Sequence, residues 1–394
     1  MSIKKLFLIS TFFIFTGFYV QDVIAQESSE PRLEEVVVTA QKKEQGLSEV
    51  PISIQVLSSE RITDMGVSSW EEIAQYVPGL TVAKGVQEQS IYMRGVGSGT
   101  NKGFEQSVTQ FVDGMSVTRS QQYTVPLLDL ERIEVLKGTQ GVLFGKNTIA
   151  GVINTVSKSP VIGGDLDAYI SQELVNDWST NKLNMATNIP VNDNFAIRVA
   201  LSSNESDGWV DNAFTNEQEP QTKSEAIRAT FLYELDDMEI NLKVFKSDSE
   251  RIGQHSQVTH WGLSAPPPSI IAAGRTVAVA AFSIANAAFP QLAQNVGKDF
   301  TSTNSMNIYG SQNPNGGTND AENMILNIKT TANDHDLSWT STMSEYDFTE
   351  GADADMSPLD FLSVSGNEQY ESTTHELVIT SPSSDTFEYI AGFF

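Results

Sequence analysis

The sequence predicts a small α+β domain followed by a run of antiparallel, membrane-spanning β-strands. Three stretches carry that expectation. The chain opens on an export-type leader, a glycine-punctuated pair of strands closes a compact segment near residue 158, and alternating apolar positions recur after Pro160.

Residues Met1–Ala25 set the compartment. Lys4 and Lys5 form a basic start, Leu6–Val20 an apolar run, and Val23-Ile24-Ala25 a small-residue exit before Gln26, the pattern of a secretory signal peptide. The run is shorter than the ~20 residues that a spanning helix needs. No later run could cross a bilayer as a helix, so membrane residence would have to come from strands. The 394 residues include no cysteine, which excludes a disulfide scaffold and a thiolate metal site. A formal charge of −26 argues against a nucleic-acid partner.

Gln26–Arg32 is polar and reads as flexible leader. In Glu34–Lys42 (EEVVVTAQK) the run Val36–Thr39 is a good strand former, and as an isolated piece it reads as an edge strand. Gln41–Glu49 returns to polar linker, so the leader as a whole covers residues 26–49. The compact domain is expected over 50–159. Pro51–Leu57 alternates as a strand, and the serines of Ser58-Ser59-Glu60 open a short helix. Ser69 and Glu72 have capping-box spacing, with Val67 as a staple and Pro78-Gly79 as the stop. Leu80–Lys84 and Ser90–Gly99 follow. Gly95, Gly97 and Gly99 lack the spacing and the βαβ setting of a dinucleotide fingerprint. Thr109–Arg119 is a hairpin turning at Asp113-Gly114.

The stretch Asp129–Lys158 organises this domain. Ile133–Leu136 and Ala150–Val156 read as strands, joined by a doubled-back connection punctuated by Gly138, Gly141, Gly145 and Gly151. Gly145-Lys146 is no phosphate loop, because Gln140 stands where the earlier glycine belongs and Asn147 where Ser or Thr should follow. A glycine-rich βαβ corner of a soluble domain is the plain alternative. Glu131, Arg132, Glu134 and Lys137 interrupt the first strand, which predicts docking into a polar cavity.

ERIEVLKGTQGVLFGKNTIAGVINTVSK (131–158) closely resembles the closing motif of the plug domain of TonB-dependent outer-membrane receptors, in which a small globular domain fills a large β-barrel. Arg94-Gly95 and the Asp113-Gly114 hairpin also have counterparts in that family. Weaker likenesses are DGWVDN (Asp207–Asn212) and HELVITSP (His375–Pro382). The resemblance implies that Glu34, Glu35, Val36, Val37, Val38, Thr39 and Ala40 form the TonB box, an extended segment that adds itself to a sheet edge of TonB.

After Pro160 the alternation sets in. Leu166, Ala168 and Ile170 share one face, as do Leu183, Met185 and Ile189, and Phe195, Ile197, Val199 and Leu201. Short turns fall at Pro190–Asn194, Leu235–Asp237, Ala332–Asp336 and Pro382–Asp385. Long connections fall at Asn204–Gln221, Ser249–Ala321 and Glu350–Tyr370. A soluble β-sandwich alternates too, but it does not usually separate short from long loops so regularly. About nine strands are expected over 160–394, the last at Phe387–Phe394, so the barrel is expected to be incomplete and the sheet open. Barrels that house plugs need many more strands. The expectation is therefore the N-terminal part of a longer receptor, although the aromatic Phe394 resembles a natural end.

In the loop Ser249–Ala321, His255, His260 and Trp261 are weak candidates for ligand contact; their spacing matches no metal motif. No nucleophile triad, carboxylate pair or zinc pattern points to an enzyme, and no cofactor is expected. The resemblance implies TonB-dependent active uptake of a scarce ligand, above all a ferric siderophore or other iron complex. Vitamin B12, an oligosaccharide or another organic nutrient is the alternative. The implied partners are TonB with the ExbB–ExbD complex, outer-membrane lipids and a small-molecule iron chelate. Arg94, Arg132 and Glu134 are the expected plug–barrel contacts. A signalling or binding receptor without transport is the other class; its extra domain would precede the TonB box, where about ten residues stand. A secreted soluble binding protein is a third.

Overall fold

The computed structural model describes residues 37–39, 42–43, 45–67, 69–84, 89–99, 105–124, 127–175, 179–212, 217–253, 316–353, 363–382 and 387–394. The signal segment, the box residues Glu34, Glu35, Val36 and Ala40, and the loop candidates His255, His260 and Trp261 lie outside them.

Two short strands, β1 (Val37–Val38) and β2 (Gln45–Gly46), pair antiparallel ahead of β3 (Ile54–Ser58). Helix α1 (Ser59–Asp64) starts on Ser58, whose side chain accepts from the Arg61 N–H. Helix α2 (Trp70–Tyr76) has both halves of the expected capping box on Ser69 and Glu72. It ends before Gly79, whose φ of +82° is open to glycine at little cost. The strands β4 (Leu80–Lys84), β5 (Gln89–Met93) and β6 (Val96–Gly97) form a three-stranded sheet.

The central sheet has the order β3-β9-β10-β7-β8, with β7 (Val108–Val112), β8 (Met115–Val117), β9 (Leu130–Lys137) and β10 (Gly151–Ser157). The β7–β8 hairpin turns on Asp113 and Gly114 at φ +52° and +92°, the paired positive angles that Asp-Gly supplies. Between β9 and β10 the glycine-rich connection contains a four-residue helical turn, α3 (Gly141–Phe144). Sequence reading gave only a doubled-back loop there, since four residues are too few for a helical period to show.

Each face of the central sheet carries its own core. Ile133, Val135 and Ile153 pack with Leu57, Trp70, Ile73 and Val77 on the helical side. Phe111, Leu136 and Val152 pack on the other side with Val38 of β1 and with Leu47, Val50 and Phe144. The described part of the leader is therefore a structural layer, and Gln45–Glu49, which composition predicts to be polar linker, holds a strand and a helical turn.

Nine antiparallel strands follow in one sheet, in sequence order apart from a two-stranded hairpin, β14 (Val210–Asp211) with β15 (Gln218–Glu219), set between them. They are β11 (Asp167–Val175), β12 (Thr180–Asn192), β13 (Phe195–Ser206), β16 (Gln221–Leu235), β17 (Met238–Ile252), β18 (Gly316–Ala332), β19 (His335–Asp353), β20 (Ser363–Thr380) and β21 (Ile390–Phe393). Among the described residues β11 and β21 each have one neighbour, so the sheet is open. Its outer face carries Ile227, Phe231, Tyr233 and Leu235 on β16, about 27 Å of strand, the order of length an apolar lipid-facing band requires. Beyond that band the outer face turns charged, at Glu225, Lys246, Glu322, Glu345 and Glu371, which share neighbouring rows. The strands run on past it, so Ser249–Ile252, Gly316–Ala321, Glu350–Asp353 and Ser363–Tyr370 are strand where loop was expected. Once both faces are polar the alternation vanishes, although the ladder does not.

Candidate functional site

The site is the seam where the small domain sits against the inner face of the large sheet, together with the docked leader. Inward positions on the wall alternate with the lipid-facing ones. Arg198 stands between Ile197 and Val199, Arg228 between Ile227 and Ala229, and Lys243 between Leu242 and Val244. All three cations are buried. Buried charge is retained only where it is paired, and here the pairs are carboxylates of the small domain.

Asp129, at φ +47° just before β9, accepts from Arg198 Nε and Nη2, both at 2.7 Å. Arg228 adds a contact to the same carboxylate at 3.4 Å and donates to the carbonyls of Leu128 and Asp129 at 2.9 Å. Beside this clamp Leu128 packs among Ala186, Ala200 and Ala226, small residues that let the loop approach the wall. Further round, Lys243 Nζ lies 2.7 Å from Asp113 and donates to Ser157 Oγ at 2.9 Å. Burial raises the Asp113 pKa, but the charges of Lys243 and Arg228 outweigh it. Hydrogen bonds from Lys243 and the Ser157 N–H add to this, so the carboxyl is held below its ordinary range.

Towards β18 and β19 the seam is neutral. Gln122 donates to Ser344 Oγ at 3.0 Å, Asn319 to the Gln121 carbonyl at 2.8 Å, and Ile325 enters the helical-side core. A cavity of about 50 Å³ lies there, lined by Trp70, Gln110, Met115, Thr155, Phe245 and Ile325 among others. Gln110 Nε2 and Thr155 Oγ1 face it without a protein partner, and the space suffices for a few waters.

The expected contact residues lie elsewhere. Arg94 donates to Ser53 Oγ at 3.1 Å and packs over Gly79, both in its own domain. Lys137, nearby, has its pKa lowered by burial and by the Arg94 charge. Glu134 is fully buried on the inner strand β9, between Val56 and Asn154. It accepts from the Thr39 N–H at 3.0 Å, Thr39 Oγ1 at 3.2 Å, Arg132 Nε at 2.8 Å and Asn154 Nδ2 at 3.1 Å. Arg132 also pairs with Glu131. Among the described residues none of Arg94, Arg132 and Glu134 hydrogen-bonds or ion-pairs with the large sheet. The expectation that buried charge needs a partner holds; the partners are Arg132 on the same strand and Thr39 of the chain's own leader. The signal that would have found the true contacts is the single cation at an inward position of an otherwise lipid-facing alternation.

The leader is fixed on both sides. Val38 is fully buried, a contribution of about 1.5–3 kcal/mol. Lys42, at the close of a turn bonded to the Thr39 carbonyl, pairs with Glu376 of β20 at 2.9 Å and lies over the rings of Phe111 and Phe144. Lys43 reaches Glu388 at 3.3 Å.

Residues 46–152 match the model of the TonB-dependent receptor plug domain. That segment is a TonB-dependent receptor plug domain. The chain is 34% identical over 131 residues to the vitamin B12 transporter BtuB of Vibrio vulnificus, a match covering 32% of this chain and 20% of that protein. It is 29% identical over 138 residues to the pesticin receptor of Yersinia pestis, covering 34% and 20%. Its fold resembles the crystal structure of the ferric yersiniabactin uptake receptor FyuA from Yersinia pestis, at a TM-score of 0.68 and 18% identity, covering 86% of this chain and 47% of that one. The chain thus matches about a fifth of the length of these curated relatives and just under half of the solved receptor. The small domain is the plug, the large sheet is barrel wall, and the protein resides in the outer membrane.

Proposed function

We propose that this protein takes up a scarce ligand actively across the outer membrane, coupled through its leader to TonB and the ExbB–ExbD complex. The observation that carries the reading is the plug seated against the barrel wall by buried ion pairs, with a strand-prone leader docked beneath its sheet. Such pairs add little net stability relative to apolar packing, which suits a domain that must shift. The outer membrane holds no ATP, so energy has to arrive by mechanical contact, and Val37–Thr39 has the chemistry for strand addition.

The ligand class we favour is a ferric siderophore or similar iron chelate, supported by the likeness to a ferric yersiniabactin uptake receptor. Vitamin B12 is the second reading, favoured by the match to a B12 transporter. That match covers 32% of this chain. The test is uptake of radiolabelled ferric catecholates, ferric hydroxamates and cobalamin by cells carrying the protein, with and without TonB. We expect TonB-dependent accumulation of an iron chelate. Cobalamin uptake alone would establish the second reading, and binding without TonB-dependent accumulation of any of the three would favour a receptor that does not transport.

A further inference from the structure

The described wall grips the plug unequally. On β13, β16 and β17 the seam is dry and charged: Arg198 and Arg228 hold Asp129, Lys243 holds Asp113, and Leu128 packs among three alanines. Both carboxylates stand at one end of the central sheet, where β7 turns into β8 and β9 begins. On β18 and β19 the grip consists of neutral hydrogen bonds. Gln122 accepts from the Thr118 and Arg119 N–H groups, which closes the helical turn Ser120–Thr124, and its own amide donates to Ser344. Asn319 holds the neighbouring Gln121 carbonyl. The cavity adjoins these contacts, with Gln110 Nε2 and Thr155 Oγ1 left unpartnered. Two residues beyond Ser344, Tyr346 stacks on Tyr370, over which Arg119 of the plug lies.

The two arcs differ in what separation costs. A neutral hydrogen bond is exchanged for one to water, and the cavity already offers room and free polar groups to that water. Opening the charged arc strips partners from buried cations and wets an apolar contact. A plug under load therefore yields first along β18 and β19. The inner rows bared there are Asn319, Asn323, Thr340, Thr342 and Ser344, interrupted by Ala321 and Ile325. Polar, uncharged groups can stand in for a solute's water without binding it too tightly to let it go.

We propose that the ligand passes between the plug and strands β18 and β19, the plug pivoting on the Asp113 and Asp129 clamps while it stays attached to β13, β16 and β17. The proposal rests on the reading of this protein as a transporter. It makes Gln122 and Ser344 the catch of the opening arc, and Arg119 with Tyr370 its ligand-side rim.

The chain has no cysteine, so two engineered links separate the arcs. Gln122→Cys with Ser344→Cys, bridged by a short reducible bis-methanethiosulfonate, ties the neutral arc. Leu128→Cys with Ala200→Cys, oxidised to a disulfide, ties the charged arc. Accumulation of the radiolabelled ferric chelate or cobalamin that parent cells take up is compared within each variant, before and after reduction. It should be lost with the first link closed and return on reduction, and be equal in both states of the second. Accumulation through the closed first link, or its loss with the second, would overturn the route. Arc strength is read without transport by single cysteines in the purified receptor under rising urea. Asn323→Cys, on the cavity, should react with a maleimide at lower urea than Ala200→Cys, and the reverse order would also refute the proposal. If that order holds while parent cells accumulate none of the ligands, the weak arc stands and the uptake reading fails.

Discussion

Replacing Asp129 tests the seam most sharply. Its side chain is wholly buried and takes two 2.7 Å bonds from Arg198 and a longer one from Arg228. Asp129→Ala leaves two guanidinium groups facing a dry wall, and breaking a buried pair by removing one partner costs about 3–5 kcal/mol. Arg228 keeps its bonds to the backbone carbonyls at 128 and 129, which favours the lower half of that range. The left-handed backbone at φ +47° adds about 1 kcal/mol of strain for alanine. The sum is about 4 kcal/mol, or roughly a thousandfold in the population of loosened plug. Trypsin cleavage of the plug in detergent follows that population when reclosing outpaces cutting. Asp129→Asn keeps an acceptor and tolerates the backbone angle, so its effect should be smaller. Lys223→Ala, at an exposed pair with Glu225, should change nothing. An Asp129→Ala rate within about fivefold of the parent would mean that the clamp does not hold the plug.

Two further outcomes follow from the same geometry. The Asp113 pKa is depressed in the folded protein, so its stabilising contribution is complete above the unfolded value of about 3.9 and is lost as pH falls through the lower folded value. Plug cleavage by an acid-active protease should stay flat from neutrality down to about pH 4 and rise below it, a rise that Asp113→Asn should reduce; loosening that begins near pH 6 would contradict this. Gly151→Ala should destabilise the plug by about 1–3 kcal/mol, read by denaturant unfolding, because an added Cβ would overlap Met93 Sδ of β5 and the Leu136 carbonyl of β9.

Much of this fold is legible in the sequence, for physical reasons that particular residues display. The Ser69–Glu72 box, the Asp113-Gly114 turn and the alternation of Phe195, Ile197, Val199 and Leu201 are local rules that the tertiary structure leaves intact. The seam is less legible because a charge needs a partner, and strand spacing does not say which surface supplies it. Glu134 finds Thr39, almost a hundred residues away in sequence, while the wall's cations find Asp113 and Asp129, which read as a turn residue and a strand flank. Gln41–Glu49 reads as linker because its composition is polar, yet Gln45 and Gly46 pair with the strand-prone Val38 and Val37, and Leu47 packs beside them. Strand ends are illegible in the sequence wherever the outer face leaves the apolar band, because both faces are then polar.

The leader is the proposed coupling element, and Val37→Pro tests it directly. Proline at this half-exposed position removes a ladder donor and fixes the backbone angle, while the ligand-facing side of the receptor is untouched. Surface binding and accumulation of a radiolabelled ferric chelate should be measured on the same cells, which separates recognition from transport. Binding should be unchanged and accumulation reduced to the level of cells lacking TonB. Accumulation at the parent rate in Val37→Pro cells would contradict it.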